Sequence, residues 1–274
     1  MDSNTSQESH FERHIPILSP NISALEHLAE HSPLSKQKIK NAMTNGCVWL
    51  ESSIRTQRLR RSKKVLPQET TLHIYYDEAI QNTVPPAALL VADEGEYSIW
   101  NKPYGLYSQG SRWGDHCTIS RWVETHLKPE RPAFIVHRLD RAANGLIIIA
   151  HSKKMAKYFA ELFRKRQIEK RYLATVEGKL DELTLPHEIT IKIDDKPAIS
   201  RILSIEQNDT TATVSIEIET GRKHQIRKHL SEIGHPVVGD RLYGSGQYEE
   251  NLQLRSNYLK FTCPSTKTEK VYSL

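Results

Sequence analysis

The run Val136-His137-Arg138-Leu139-Asp140-Arg141 sets one carboxylate between two arginines. It is followed by Gly145-Leu146-Ile147-Ile148-Ile149-Ala150, which reads as a buried strand. Nearby guanidinium groups favour the ionised form of a carboxylate, and such a group can act as a nucleophile or a general base at neutral pH. In an extended stretch, Arg138 and Asp140 point to the same side. A second cationic cluster lies far downstream, Gly221-Arg222-Lys223-His224-Gln225-Ile226-Arg227-Lys228-His229-Leu230. Together the two segments describe an anionic reactive group inside a site built for a polyanion. On spacing alone, the commoner fate of such an aspartate is a loop salt bridge.

The rest of the composition fits a polyanionic partner. The 274-residue chain carries a formal net charge of +5, with pI about 9.0. That excess is unevenly placed. Residues 35–64 hold nine basic side chains (Lys36, Lys38, Lys40, Arg55, Arg58, Arg60, Arg61, Lys63 and Lys64) against Glu51 alone. A basic run of this kind is an electrostatic footprint for nucleic acid; solvated faces also carry such runs. No apolar helix face accompanies the charge, which argues against a membrane surface. The three cysteines, Cys47, Cys117 and Cys263, form no C-x-x-C pair and suggest neither a zinc site nor a disulfide framework. Met1-Asp2-Ser3-Asn4 opens no signal peptide, so a reducing cytoplasm is expected. Apolar runs are too short to span a bilayer.

The elements that must position these residues divide into two parts, as a length of about two domains suggests. Residues 1–20 are polar and aperiodic and are expected to be a flexible tail. Residues 21–84 are expected to form a small domain with a linker. Leu25–Glu30 suggest a short helix; Ser35 can cap a second, with Ile39 and Met43 inward. Asn45-Gly46 ends it, and Val48–Leu50 and Leu72–Tyr76 read as strands. Asn82-Thr83-Val84-Pro85-Pro86 punctuates the chain. Residues 85–274 mix strands and helices. Successive strands there lack intervening helices, so the fold class is α+β with a mixed, mainly antiparallel sheet. Met155, Phe159 and Leu162 form a helical core stripe. Ile226 and Leu230 line a helix ending at Gly234.

His137-Arg138-Leu139-Asp140 with Gly145-Leu146 resembles the His-Arg-Leu-Asp-x-x-Thr-Ser-Gly-Leu signature of the RluA-type RNA pseudouridine synthases. Four further segments agree in that family's order: Asn101-Lys102-Pro103-Tyr104-Gly105-Leu106; Lys170-Arg171-Tyr172-Leu173-Ala174 with Gly178; Gly221–Leu230; and Gly234-His235-Pro236-Val237-Val238-Gly239-Asp240. The resemblance implies an isomerase that breaks the uridine C–N bond, turns the uracil and rejoins it through C5, without a cofactor or metal. It implies Asp140 as the carboxylate working at the ribose, by attack on C1′ or by removal of a sugar proton. Tyr172 is implied as the ring that stacks on uracil, with its hydroxyl near the C5 proton. Arg227 is implied as the cation beside Asp140, and Arg138 as the filler of the gap left by the flipped base. Lys102 and Arg222 are further substrate-binding candidates. His137, His224 and His235 read as hydrogen-bonded structural groups rather than metal ligands. The chain departs from the signature at Ala142-Ala143-Asn144, where the lost Thr-Ser hydroxyls put loop rigidity in question.

The helix–helix–glycine–strand order before residue 84 resembles the S4-type RNA-binding domain. That resemblance implies phosphate contacts from Lys36, Lys40, Arg60 and Arg61. The expected partner is RNA, large-subunit ribosomal RNA foremost and tRNA as the alternative, bound by a monomer. A non-catalytic RNA-binding protein on the same scaffold is the rival reading. A kinase loop is excluded, because no glycine-rich loop, V-A-I-K strand or D-F-G motif accompanies the His-Arg-Leu-Asp run.

Overall fold

Local signals set the helices of the N-terminal part. The computed structural model describes residues 9–18, 21–180, 183–244 and 249–274. By contacts the chain forms two compact units, Met1–Pro85 with Gln109–Trp122, and Pro86–Ser108 with Val123–Leu274. The first unit holds β1 (His10–Pro16), α1 (Ala24–His31), α2 (Lys36–Asn45), β2 (Val48–Glu51), β3 (Thr56–Arg58), β4 (Thr71–Asp77) and α3 (Glu78–Gln81). Ser23 caps α1 by accepting from the Glu26 amide, and its hydroxyl donates to the Glu26 carboxylate, a reciprocal cap. Ser35 caps α2 through Lys38 N–H. Gly46 ends α2 in the left-handed region at φ 82°, where glycine carries no Cβ penalty.

The strands form an antiparallel sheet in the order β1-β4-β2-β3. Its core contains Leu28, Ile39, Met43, Leu72 and Ile74. β1 corrects the expectation of a tail over residues 1–20. Phe11 and Ile15 are buried and the strand pairs with β4 along its whole length. Arg13 occupies the same-face position between them and hides the alternation, its guanidinium lying 5.4 Å from the Phe11 ring centroid. Residues 1–8, 19 and 20 lie outside the described set. The expected division at residue 84 needs a second correction, because Gln109–Trp122 joins the first unit. Within that unit, Asp115 meets Arg58 and Arg60, and the Trp49 indole donates to the Arg112 carbonyl.

The remaining elements are β5 (Leu89–Asp93), β6 (Tyr97–Lys102), α4 (Ile119–His126), β7 (Phe134–Ile135), β8 (Asn144–Ala150), α5 (Lys153–Arg164), β9 (Glu169–Glu177), β10 (His187–Ile189), β11 (Ser200–Gln207), β12 (Thr211–Ile218), α6 (Gln225–Glu232), β13 (Leu254–Thr262) and β14 (Glu269–Ser273). Among the described residues the strands of the second unit make one mixed sheet in the order β10-β11-β12-β9-β13-β8-β6-β5, with β14 on β13 and β7 on β8. Every pairing is antiparallel except β13 with β8. The expected α+β class with a mainly antiparallel sheet is therefore observed. Phe159, Leu146, Ile148 and Leu259 lie in its core, and Met155 and Leu162 of the predicted stripe join them.

The parallel pair seats Gly145 opposite Ser256. Gly145 has φ 111°, and a Cβ there would lie 2.2 Å from the Ser256 carbonyl oxygen. Only glycine allows this approach. Gly145→Ala is expected to lose about 2–3 kcal/mol or more of stability, seen as a lower urea midpoint. A midpoint equal to wild type would show that β8 and β13 can separate freely.

Candidate active site

The site starts from a loop that is short of its own supports. Asp140 sits in the turn leading into β8, where Ala143 N–H donates to the Asp140 carbonyl at 3.1 Å. Ala143 has no hydroxyl to brace the loop, and Ser108 does so from a distant segment. Its buried Oγ accepts from Leu139 N–H at 3.0 Å and donates to the Leu139 carbonyl at 2.6 Å. Gly105 N–H donates to the Arg141 carbonyl at 2.9 Å, and Arg141 Nε returns a bond to the Gly105 carbonyl at 3.3 Å. The Asn101–Leu106 motif thus clamps the Asp140 loop. Asn144 contributes through its side-chain oxygen, which accepts from Arg255 Nε at 3.4 Å.

The partners of Asp140 come from α6 and the residue before it. Arg227 Nη1 lies 3.7 Å from Asp140 Oδ2, and His224 Nε2 lies 3.8 Å from Oδ1. These are charge contacts too long for hydrogen bonds. Among the described residues, nothing donates a hydrogen bond to the Asp140 carboxylate, which is 30 % exposed. An anion held in place but unbonded keeps its lone pairs for substrate.

Arg227 is 4 % exposed and Asp240 fully buried. Arg227 Nε and Nη2 donate to Asp240 Oδ2 and Oδ1, both at 2.6 Å. Asp240 also accepts from the amides of Leu242 and Tyr243 at 2.9 and 3.1 Å. Burial opposes both charges, yet these bonds outweigh it. They hold the Asp240 carboxyl below, and the Arg227 guanidinium above, its ordinary range. The Arg227 guanidinium also lies 5.1 Å from the Tyr243 ring centroid. The Tyr243 hydroxyl is 2.9 Å from His224 Nδ1. Burial lowers the His224 pKa against the pull of Asp140, so the imidazole is neutral at pH 7. The buried Gln225 side chain steadies the start of α6 through Thr220, Arg222 N–H, Ile199 and Ser200.

Tyr172 stands on β9 opposite Ile216 of β12 and Ser256 of β13. Burial, reinforced by the Asp140 charge and opposed by the Ser256 hydroxyl, raises its phenol pKa. Ser256 Oγ makes no hydrogen bond of good geometry among the described residues, so its influence reflects proximity.

Lys102 is fully buried and donates to the carbonyls of Pro103 and Leu106 at 3.0 and 2.8 Å. It cannot reach a phosphate, so its expected substrate-binding role is replaced by a buried one beside Asp140. Burial lowers its pKa to about 7, against the Asp140 charge. Arg138 is exposed, with no ion pair among the described residues. Arg141 lies over the Tyr107 ring at 4.8 Å. The sequence neighbours of Asp140 are therefore not its ion partners. Arg222 Nε binds the Pro197 carbonyl at 3.1 Å.

In the first unit, Lys36, Lys40 and Arg61 are exposed. Arg60 is not available as expected: it donates to both Asp115 oxygens at 2.7 and 2.6 Å and to the Thr44 carbonyl at 2.7 Å. His137 and His235 are structural, His137 accepting from Ile148 N–H and His235 donating to the Glu177 carbonyl. His224 is hydrogen-bonded to Tyr243 and in addition faces Asp140. Sequence reasoning also passed over Ser108, Asp240 and Tyr243; for Asp240 the Gly234–Asp240 motif was the available signal.

The mixed sheet thus carries a carboxylate without hydrogen bonds beside an arginine locked by a buried aspartate. Residues 96–232 match the RNA pseudouridylate synthase family. The chain belongs to that family and is an isomerase that acts on uridine in RNA. It is 33 % identical to the dual-specificity RNA pseudouridine synthase RluA of Salmonella typhimurium, over 68 % of this chain and 93 % of that one. It is 28 % identical to ribosomal large subunit pseudouridine synthase D of Nitrosomonas europaea, over 77 % of this chain and 65 % of the relative. The solved structure of human RNA pseudouridylate synthase domain containing 1 shares the fold, with TM-score 0.57 and 23 % identity over 70 % of this chain and 86 % of that one.

Asp240→Ala strands a buried guanidinium and is expected to destabilise the protein by about 3–5 kcal/mol, measured by urea unfolding. Lys102 gives a pH signature. Its folded pKa of about 7 lies below the ordinary lysine value of 10.5. Between those values the unfolded chain holds a proton that the folded one lacks, so stability rises with pH across the window and falls as pH drops toward 7. Lys102→Met should flatten that slope in Tm against pH. Parallel slopes for the two proteins would rule out a buried Lys102.

Proposed function

We propose that Asp140 works at the ribose of the target uridine, as nucleophile on C1′ or as base toward a sugar proton, while Arg227 holds it aimed. The observation that carries this reading is the unbonded Asp140 carboxylate 3.7 Å from an arginine locked by Asp240. The C–N bond breaks, the uracil turns, and C5 bonds to C1′ before losing its proton. Tyr172 is the ring that holds uracil, its hydroxyl near the C5 proton that is lost to solvent; burial raises its phenol pKa. Arg138, exposed and next to the loop, is suited to fill the space of a flipped base.

The N-terminal unit acts, in this proposal, as an S4-like RNA-binding domain. Support comes from its order of α1, α2, a glycine turn and strands, and from its exposed cations. Arg58 through Lys64 line an open groove of about 920 Å³, which suits backbone phosphates. The substrate is large-subunit ribosomal RNA, a reading favoured by the name of the Nitrosomonas relative. A monomer meets it in the cytoplasm, in keeping with three unpaired thiols. No described helix is long and apolar enough to cross a membrane.

Asp140→Asn should abolish tritium release from C5-labelled uridine RNA while leaving RNA affinity nearly unchanged; turnover near wild type would overturn the assignment. Tyr172→Phe should keep affinity and more activity than Asp140→Asn, whereas Tyr172→Leu should also weaken substrate positioning. Equal rates for both Tyr172 variants would make it a packing residue only. Replacing Lys36, Lys40 and Arg61 together by Ala should reduce the log–log salt slope of RNA binding by up to about 0.7–0.9 per lost contact. Arg60→Ala should instead lower Tm, because its charge is used within the unit. A slope unchanged by the triple variant would make the basic run a solvated face.

A further inference from the structure

We infer that His27, Glu30 and His31 of α1 form a binding site for a borderline divalent transition-metal ion, Zn2+ foremost, outside the catalytic machinery. Residues at i, i+3 and i+4 share one helix face. One ligand atom from each of the three lies within 4.8 Å of the others. Two imidazoles and one carboxylate on a single turn suit Zn2+ in a tetrahedral site whose fourth position is water.

Two independent features point to a ligand rather than to chance proximity. His27 is only 7 % exposed, and its Nε2 is buried with no hydrogen-bond partner among the described residues. A buried ring nitrogen left bare is unfavourable, and an ion would satisfy it. His31 Nδ1 is 2.9 Å from the His27 carbonyl. A carbonyl only accepts, so Nδ1 carries the proton and Nε2 presents its lone pair outward. That is how the second hydrogen bond of a metal-binding histidine fixes its tautomer. Arg13 Nη1 binds the His31 carbonyl at 2.7 Å and holds the last turn in place. Glu30 is exposed and free of hydrogen bonds and ion pairs among the described residues. Since α1 has only eight residues, an ion across its last turn would pin a helix too short to be stable alone.

The absence of a C-x-x-C pair suggests no zinc site by cysteine; a histidine site escapes that criterion. The test uses the full chain, stripped with EDTA and dialysed. Co2+ is titrated while the visible absorption is followed, and Zn2+ is then added in competition. The expected result is one ion per chain with a tetrahedral Co2+ spectrum, displaced by Zn2+, and a Tm raised by Zn2+. His31→Ala and Glu30→Gln, both at exposed positions, should keep the wild-type circular dichroism. His31→Ala should bind at least ~10-fold more weakly and lose the Zn2+-dependent rise in Tm, and Glu30→Gln should alter the Co2+ spectrum. No wild-type binding at micromolar Co2+ or Zn2+ would overturn the proposal. So would His31→Ala binding with wild-type stoichiometry and affinity, which would place the ion on other histidines of the chain.

Discussion

The Arg227–Asp240 pair is almost wholly removed from water, and burying two ions costs several kcal/mol each before any return. Two bonds of 2.6 Å and two backbone amides on the carboxylate offset that cost. The geometry then has little freedom. Two of the three guanidinium nitrogens are committed to Asp240, and the third is left facing Asp140. A flexible surface arginine would meet Asp140 in many poses or bond it directly. The locked one stabilises the anion at a distance and leaves its oxygens open. Tyr243 extends the same structure, lying against the Arg227 guanidinium and touching His224.

The Asp140 loop depends on backbone bonds brought from elsewhere. Lys102, buried in its own turn, shapes the segment that supplies Gly105 and Ser108. The loop can then do without the Thr-Ser hydroxyls of the family signature. Gly145 plays the matching part on the other side, since the loop enters β8 where that strand meets β13 too closely for any Cβ. The Asp140 loop is therefore held by a fully buried lysine, a serine and a glycine.

In the N-terminal unit, charge serves two purposes that composition cannot separate. Arg58 and Arg60 share Asp115, and Lys38 pairs with Glu78 at 2.8 Å. These cations hold the unit together. Lys36, Lys40 and Arg61 remain exposed. The basic run thus divides between cations paired within the unit and cations left exposed.

Several features were legible in the sequence because their signals are local. Ser23 and Ser35 caps, the Gly46 stop and the Met155–Leu162 stripe act over one or two turns, where propensity and periodicity suffice. The family was legible too, through motifs in order, and with it Asp140, Tyr172 and Arg227 as candidate site residues. The sequence by itself thus determined the reaction class and the α+β class. Only the tertiary structure decided who meets whom. Asp140 faces Arg227 and His224 rather than the arginines beside it, Lys102 points into the core, Arg60 turns to Asp115 across 55 residues, and β1 joins a sheet despite Arg13 in its inner face. Such pairings depend on how distant strands bring segments together and on which charges lose water when they do. Neither quantity is encoded within the few residues that a local pattern spans.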